Sequence, residues 1–216
     1  MKRVLIIDSH PLMREAIRTV VLSVWPKAHT IEVGDLAAID AGCRFGQTID
    51  LVVMDPALAG CSGLSVLVMV HQRLPNTPTV VFSSRIDDQM VGSCKALGAA
   101  GFLHKCAEID EIARTLRSVL EGARPFPALT GAASASQELT ALNRRLDGLT
   151  ATQMKVLMNI ADGRLNKQVA ADLHVTEAAI KAHLTVIFRK LGVQNRAQAL
   201  LTMRPILEST ASAIAV

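Results

Sequence analysis

Four polar side chains that could act in one reaction stand at or just beyond the ends of short apolar runs: Asp8, Asp55, Ser83 and Lys105. Two carboxylates suit a hard divalent cation such as Mg²⁺, which prefers oxygen ligands. A hydroxyl and an ammonium group beside them could stabilise the charge of an incoming phosphoryl group. The residue types therefore indicate metal-assisted phosphoryl chemistry, provided that the fold brings the four together.

Asp55 is the candidate at the centre of this set. The apolar run Leu51–Met54 leads directly into it, and Pro56 favours extended geometry for the residue before it. A short apolar run closed by turn residues is typical of a strand buried on both faces. Open α/β sheets bind ligands at the carboxyl ends of their strands, where Asp55 would lie. Taken alone, Asp55 could also be a turn residue that ends the strand.

Apolar runs alternate with amphipathic segments over residues 1–122. The pattern predicts strands at Arg3–Ile7, Thr30–Val33, Leu51–Met54, Thr79–Ser83 and Gly101–Leu103. It predicts helices at Leu12–Val24, Leu36–Phe45, Leu64–Arg73, Asp88–Leu97 and Glu108–Glu121. Five β-α units of this kind predict an α/β fold with a doubly wound parallel sheet, whose strand ends converge on one edge.

The first 122 residues carry a set of motifs: Asp8-Ser-His10, Asp55 with Gly60 five residues later, Ser83-Ser84, and Gly101-Phe-Leu-His-Lys105. In these positions the segment resembles the flavodoxin-like receiver domain of bacterial two-component response regulators. The resemblance implies that Asp55 accepts a phosphoryl group from a sensor histidine kinase. It also implies that Asp8, Asp55 and the carbonyl of Ala57 hold Mg²⁺. Lys105 and Ser83 would contact the phosphoryl group, and the aromatic Phe102 would rotate with that switch.

The segment departs from the family at Ser9, where a second acidic metal ligand is usual. A neutral hydroxyl is a poor substitute, so we expect weak Mg²⁺ binding and slow phosphorylation. The alternative is a degenerate receiver that works without phosphorylation or through another input, such as oxidation of Cys61 or Cys106. A Mg²⁺-dependent phosphatase is disfavoured because Ala57 replaces the second acid such enzymes carry after the nucleophile, so we expect no enzyme.

Composition separates the two halves of the chain. Residues 1–122 carry 12 basic and 13 acidic residues, whereas residues 123–216 carry 11 and 6, a net charge of +5. A basic back half suggests a polyanionic partner, although a DNA-free interaction scaffold would remain possible on charge alone. No apolar run reaches the ~18 residues that a membrane span needs, so we expect a cytoplasmic protein that does not bind membranes. The four cysteines lack metal-binding spacing and are expected to be reduced thiols.

We divide the chain into a receiver (1–122), a linker (123–146), a second domain (147–207) and a tail (208–216). Arg124-Pro-Phe-Pro127 should break any helix, and Thr130–Ser136 is small and flexible in composition, before a short helix at Gln137–Leu146. The second domain should contain four helices: one from the capping box Thr150/Gln153 to Ala161, Asn166–Leu173, one from the N-cap Thr176 to Leu191, and Arg196–Met203, which ends before Pro205. Short helices with tight turns predict an all-α helix-turn-helix domain.

This second domain also contains a set of sequence motifs: Asn166-Lys-Gln-Val-Ala170, Val175-Thr-Glu, Ile180-Lys-Ala-His183 and Arg189-Lys-Leu-Gly192. It resembles the DNA-binding domain of NarL/LuxR (FixJ-like) response regulators. The resemblance implies double-stranded DNA as a partner, with the third helix in the major groove and a homodimer on DNA. The implied DNA-binding residues include Thr176, together with Lys181, Ala182 and Thr185 at positions that face base edges and flanking phosphates. The implied phosphate contacts are Arg189, Lys190 and Arg196. His183 is expected to pack or cap, and Ala199, Leu200 and Met203 to form the dimer face. The sequence thus predicts a transcription factor gated by phosphorylation of Asp55.

Overall fold

The computed structural model describes residues 1–35, 38, 48–58, 61, 63–128 and 136–208. Its strands are β1 (Arg3–Ile7), β2 (His29–Val33), β3 (Leu51–Met54), β4 (Thr79–Ser83) and β5 (Gly101–His104). They form one parallel sheet in the order β2-β1-β3-β4-β5. This is the doubly wound order of flavodoxin-like folds, and it confirms the predicted class. The helix expected at Leu36–Phe45 lies outside the described residues except at position 38.

The helices of the described residues in the first half are α1 (Pro11–Val24), α2 (Ser65–Arg73), α3 (Asp88–Ala96) and α4 (Ile109–Leu120). The second half contains α5 (Ser136–Asp147), α6 (Ala151–Ala161), α7 (Asn166–Asp172), α8 (Glu177–Leu191) and α9 (Arg196–Leu207). The expected helices within this part of the chain are confirmed to within a residue or two, apart from the end of α9. None of the helices described is long and apolar enough to cross a membrane.

The sheet is covered on both faces by aliphatic side chains. On one face α1 and α4 bury Ile17, Val21 and Leu116 against β1, β3, β4 and β5. On the opposite face the apolar cluster runs from the sheet through α2 and α3 into the helices of the second half. The burial of entire strands such as Leu51–Met54 explains why they read as unbroken apolar runs.

The two halves of the chain meet along a surface that we call the seam, formed by Gly63, Leu64 and Gln72 of the first half with Leu146 and Ile206 of the second. The backbone N–H of Leu64 donates to the carbonyl of Ile206 at 2.7 Å. The side-chain amide of Gln72 donates to the carbonyl of Leu146 at 2.8 Å. Gly63 has φ +56°, and a Cβ atom there would lie 1.9 Å from the Ile206 carbonyl oxygen. The halves therefore approach each other at backbone distance, and only glycine fits at position 63.

The start of the linker lies along the edge strand β5. The N–H of Phe102 donates to the carbonyl of Pro125 at 3.1 Å, so the proline-containing segment covers part of an exposed strand edge. The ammonium group of Lys95 lies 5.8 Å from the centre of the Phe126 ring. The flexible segment expected around Thr130–Ser136 falls outside the described residues, apart from Ser136 at the start of α5.

The predicted end of α9 before Pro205 is wrong, because the helix continues to Leu207. A proline removes one backbone donor, a cost that packing can outweigh near a helix end. Ile206 is fully buried, and its carbonyl accepts the seam hydrogen bond from Leu64. The predicted dimer face needs correction for a similar reason. Ala199 and Met203 are fully buried inside the chain, whereas Leu201, one position beyond the predicted Leu200, is 65% exposed.

Candidate functional site

The carboxyl edge of the sheet brings three of the four predicted residues into direct contact. Asp8 and Asp55 follow neighbouring strands whose last residues, Ile7 and Met54, are paired in register. From the end of β5, the long Lys105 side chain reaches across to both of them. Its Nζ lies 2.6 Å from Asp55 Oδ2 and 2.7 Å from Asp8 Oδ2. Asp8 is 0% and Asp55 4% exposed. The two buried carboxylates therefore share one ammonium group, that of Lys105.

The electrostatics of this edge depend on that sharing. Burial alone would lower the pKa of Lys105, but hydrogen bonds and Coulomb attraction from Asp55 and Asp8 outweigh it. The pKa of Lys105 therefore lies above its ordinary value, and the side chain is a permanent cation. The remaining carboxylate oxygens are also engaged: Asp55 Oδ1 accepts from the N–H of Ala57 at 2.9 Å. Asp8 Oδ1 likewise accepts from the backbone N–H of His10 at 2.8 Å, so both acids have a backbone hydrogen-bond donor besides Lys105.

Ser83 and Phe102 lie beside the charged cluster. Ser83 is buried at the end of β4, and its hydroxyl oxygen accepts from the N–H of Arg85 at 3.1 Å. Its carbonyl accepts from the N–H of Lys105 at 2.8 Å, which ties the ends of β4 and β5 together. The Phe102 side chain is 3% exposed and packs in the cluster that continues into the second half. The switch roles implied for Ser83 and Phe102 stay predictions.

Three side chains at this edge could hold a metal ion: Asp8, Asp55 and His10. Sequence reasoning assigned the acids but missed His10, whose Nδ1 lies 2.9 Å from Asp8 Oδ1. The position of His10 two residues after Asp8 could have pointed to it. Ser9, the doubtful ligand, has its hydroxyl 3.4 Å from His10 Nδ1. Ala57 is exposed, and its N–H donates to Asp55 Oδ1.

None of the described cysteines is paired in a disulfide. Cys61, Cys94 and Cys106 are free thiols. Burial and the charge of Asp162 raise the pKa of Cys61 to about 11, and burial raises the pKa of Cys94 to about 12. Both are therefore protonated and poorly nucleophilic near neutral pH. Cys106 is exposed, and Cys43 lies outside the described residues.

In the second half, α7 and α8 form the predicted helix-turn-helix. The Thr176 hydroxyl accepts from the N–H of Ala179 at 3.2 Å and caps α8, as predicted. His174 turns the chain between the helices with φ 54°, a left-handed conformation that few side chains adopt. The buried side of α8 consists of Ile180, Leu184, Ile187 and Leu191. The opposite side is open to solvent along its length.

The predicted DNA-contacting residues divide into two groups. Thr176, Lys181, Ala182, Thr185 and Arg189 are exposed on the open side of α8. The Lys181 side chain is 66% exposed, and its one ion-pair partner among the residues that the structure describes is Glu177, one turn earlier in the helix, at 3.2 Å.

The second group faces inward. Lys190 donates to the carbonyl of Gly148 and to Oε1 of Gln153, each at 2.8 Å. Gln153 is itself buried and completes the predicted capping box of α6. Arg196 donates to the carbonyls of Ile160 and Arg164 at 3.0 and 2.8 Å. The structure gives Lys190 and Arg196 a role in holding the helices together, which their residue type alone did not reveal.

Comparisons with known proteins agree with both halves. Residues 4–117 match the model of the response regulator receiver domain, and residues 147–203 match that of the bacterial regulatory proteins of the luxR family. The chain is 32% identical over 209 residues to the glycerol metabolism activator of Pseudomonas putida, covering 94% of this chain and 95% of that one. It is 28% identical to the transcriptional regulatory protein LiaR of Bacillus subtilis (92% and 95% covered) and 27% identical to the nitrate/nitrite response regulator protein NarL of Escherichia coli (91% and 92% covered).

Solved structures share the fold. RcsB from Salmonella enterica serovar Typhimurium, bound to a promoter in the presence of a phosphomimetic, superposes with a TM-score of 0.51 at 19% identity, over 94% of this chain and 98% of that one. A complex of the two-component response regulator RcsB with DNA gives 0.52 at 18% identity, over 95% and 98%. The two families that match this chain are those of transcriptional regulators and not of enzymes. The chain belongs to the response regulators that join a receiver domain to a LuxR-type DNA-binding domain.

Proposed function

We propose that Asp55 is the phosphoacceptor of this response regulator and that its phosphorylation by a sensor histidine kinase controls DNA binding through α8. The observation that carries the proposal is the Lys105 ammonium group, 2.6 Å from Asp55 and 2.7 Å from Asp8 at the carboxyl edge of the sheet. An Asp55 oxygen would attack the phosphorus of a phosphohistidine. The P–N bond breaks, and the imidazole leaves as the aspartyl phosphate forms.

The neighbouring side chains suit the product of this transfer. The ammonium group of Lys105 can move from Asp55 Oδ2 to a phosphoryl oxygen without leaving the site, since it already lies between the acids. The Ser83 hydroxyl accepts from Arg85, so its own proton remains available for a phosphoryl oxygen. Preorganised donors of this kind stabilise charge that develops during phosphoryl transfer.

A divalent cation fits the same edge. The carboxylates of Asp8 and Asp55 are buried within reach of each other, and hard cations prefer such oxygen ligands. Mg²⁺ would be held by Asp8, Asp55 and the carbonyl of Ala57, with Ser9 at most a neutral ligand. When bound, it would neutralise phosphoryl oxygens. The Lys105 cation and the missing acid at position 9 both reduce the negative charge there, so we expect weak Mg²⁺ binding.

A groove between α1 and the start of α4 suits the docking of a kinase. Its lining is mainly apolar and includes Met13, Ala16, Ile17, Ile109 and Lys105. Ile109 is 65% exposed, and Leu12, on the same helix as Met13, is 79% exposed. An apolar groove whose lining includes Lys105, which contacts Asp55, fits a partner that must deliver its phosphohistidine to Asp55.

We assign DNA recognition to the open side of α8. Lys181, Ala182 and Thr185 would face base edges, and Thr176 and Arg189 would contact flanking phosphates. We leave Lys190 and Arg196 out of this set because their side chains bond within the domain. Binding as a homodimer would use the exposed Leu201 and the half-buried Leu200 of α9. The domain limits that we propose remain 1–122 and 147–207, joined by 123–146, with a tail at 208–216.

Gating requires that the acceptor site affect the second domain, and the seam offers a route. Gly63 lies in the segment that follows Asp55, and it contacts the backbone of α9 at Ile206. Phe102 on β5 packs in the shared apolar cluster and bonds to the linker at Pro125. Movement at Asp55, Ser83 and Phe102 on phosphorylation would loosen these contacts and free α9 to pair.

The proposal is tested by measuring the affinity of the full chain for duplex DNA. The duplex is first obtained by selecting, from a pool of randomised sequences, those that the protein binds. Fluorescence anisotropy should show tighter binding after treatment with acetyl phosphate and a divalent cation. Asp55→Asn should remove this gain, whereas Asp110→Asn, an exposed acid at the start of α4, should keep it. Equal affinity of phosphorylated and untreated protein would instead favour the alternative regulator that does not depend on phosphorylation.

A further inference from the structure

His10 lies at the carboxyl edge of the sheet beside Asp8, Asp55 and Lys105, a region that we call the acceptor edge. Its backbone N–H and its ring Nδ1 both point to the same oxygen, Asp8 Oδ1, at 2.8 and 2.9 Å. The other Asp8 oxygen is taken by Lys105. The backbone hydrogen bond fixes the turn of Asp8-Ser9-His10, so the ring is placed over the carboxylate by the main chain. The side chain is 67% exposed, so the ring is accessible from solvent.

The spacing of these atoms suits two ligands of one metal ion. Neighbouring ligands of an octahedral ion with bonds of ~2.1 Å are separated by ~3.0 Å. Asp8 Oδ1 and His10 Nδ1 are 2.9 Å apart. An Asp55 oxygen completes the group, with all three atoms within 4.8 Å of one another. Opposite ligands of such an ion are ~4.2 Å apart, so only a small closure is needed.

The chemistry of this donor set differs from three carboxylates. Serine at position 9 contributes no charge, and the histidine nitrogen is a borderline ligand that suits first-row transition metals better than Mg²⁺. We propose that His10 is the third protein ligand of the divalent cation at Asp8 and Asp55, and that it makes the site prefer first-row transition-metal ions to Mg²⁺. This proposal rests on the proposed function only in placing a cation at the acceptor edge.

Metal titrations of the full chain test the preference, with Co²⁺ and Mg²⁺ as probes and calorimetry as the readout. His10→Gln should weaken Co²⁺ binding by about tenfold or more and change Mg²⁺ binding by less than about twofold. His104→Gln is the matched control, since that ring bonds to the Ser84 carbonyl and the Cys106 N–H at the same edge. Ser9→Asp should shift the preference towards Mg²⁺. Equal losses for both metals in His10→Gln, or none, would overturn the proposal.

A spectroscopic test can be carried out on the unsubstituted chain, so its main result does not require that a variant folds. The full chain carrying ¹⁵N-labelled histidine and bound Mn²⁺ should show ¹⁵N coupling in pulsed electron paramagnetic resonance. The coupling should vanish in His10→Gln and persist in His104→Gln. Absence of nitrogen coupling in the unsubstituted chain would overturn the assignment of His10. Neither measurement involves phosphorylation, so failure of Asp55 to accept a phosphoryl group would leave these results standing, and the reverse also holds.

Discussion

The acceptor edge and the open side of α8 hold their charges in opposite ways. Lys105 has a side chain 11% exposed and lies between two buried carboxylates. Lys181 has a side chain 66% exposed and pairs only with Glu177 on its own helix. Surface pairs of the second kind contribute ~0–1 kcal/mol, whereas breaking a buried pair is far more costly. The first region is preorganised for one small group, and the second keeps its cation available for a large polyanion.

The largest expected effect comes from removing the buried cation. Lys105→Ala leaves the buried carboxylates of Asp8 and Asp55 without the ammonium group between them, so the free energy of unfolding should fall by ~3–5 kcal/mol. Lys27→Ala, at an exposed lysine, should change it by no more than ~0.5 kcal/mol. Urea unfolding at pH 7 measures both. Adding a divalent cation should recover part of the loss in Lys105→Ala, because it can replace the ammonium group between the acids.

The raised pKa of Lys105 also predicts how the stability difference between wild type and Lys105→Ala depends on pH. The pKa of Lys105 is raised in the folded chain, so its stabilisation is present below the unfolded pKa and is lost only as pH rises through the folded value. The gap between wild type and Lys105→Ala should therefore stay constant from about pH 6 to pH 9. A gap no larger than that of Lys27→Ala would contradict the buried-pair account.

The second effect separates two lysines of the same helix. Lys181→Ala should weaken binding to the selected duplex by ~1–3 kcal/mol and leave the unfolding midpoint unchanged. Lys190→Ala should instead destabilise the second domain by ~1–3 kcal/mol, because the Gly148 carbonyl and Gln153 lose a charged donor. Anisotropy and thermal unfolding of the full chain measure the two outcomes. If Lys190→Ala weakened DNA binding without loss of stability, its assignment as an internal contact would be wrong.

The third effect concerns the seam that joins the two regions. Gly63→Ala should cost ~1–2 kcal/mol from its positive φ alone and should also push the Ile206 carbonyl away. Gly122→Ala is the matched control, since φ is +93° but no atom lies within 4 Å of the added Cβ. Small-angle scattering should show that only Gly63→Ala is more extended, and its affinity for DNA should rise without phosphorylation. Identical scattering from both variants would argue against a seam that restrains α9.

The smallest expected effect is that of thiol chemistry. At pH 8 a thiol reagent should modify the exposed Cys106 before the two other cysteines that the structure describes. Cys61, with a pKa of about 11, and Cys94, with a pKa of about 12, should react much more slowly. Modification of Cys106 should leave DNA affinity unchanged, as should Cys106→Ser. A change in affinity on oxidation that Cys106→Ser abolishes would restore thiol oxidation as an input.

The acceptor edge could be predicted from the sequence because strand ends in a parallel sheet have fixed positions. Once β1, β3 and β5 were recognised, Asp8, Asp55 and Lys105 had to converge. Side chains on helix surfaces are less constrained. Lys190 and Arg196 look like phosphate contacts in sequence, but long flexible side chains also reach backbone carbonyls at helix ends. The role of His10 depends on a turn that sequence patterns do not specify.

The contacts of the seam could not be predicted from the sequence for a different reason. It depends on contacts between segments that are far apart in the chain, such as Gly63 with Ile206 and Gln72 with Leu146. Local periodicity marks Ala199 and Met203 as apolar without showing which surface covers them. It also places a helix end before Pro205, because tertiary packing of Ile206 is not a local property.

The most direct measurement of the central claim is the intact mass of the full chain after incubation with acetyl phosphate and a divalent cation. Wild type should gain one phosphoryl group, Asp110→Asn should gain the same, and Asp55→Asn should gain none. With Mg²⁺ as the cation, Ser9→Asp should be phosphorylated faster than wild type, because an added carboxylate strengthens the attraction of the site for the ion. Labelling that survives in Asp55→Asn, or its absence from wild type with every divalent cation tried, would contradict the assignment of Asp55 as the phosphoacceptor.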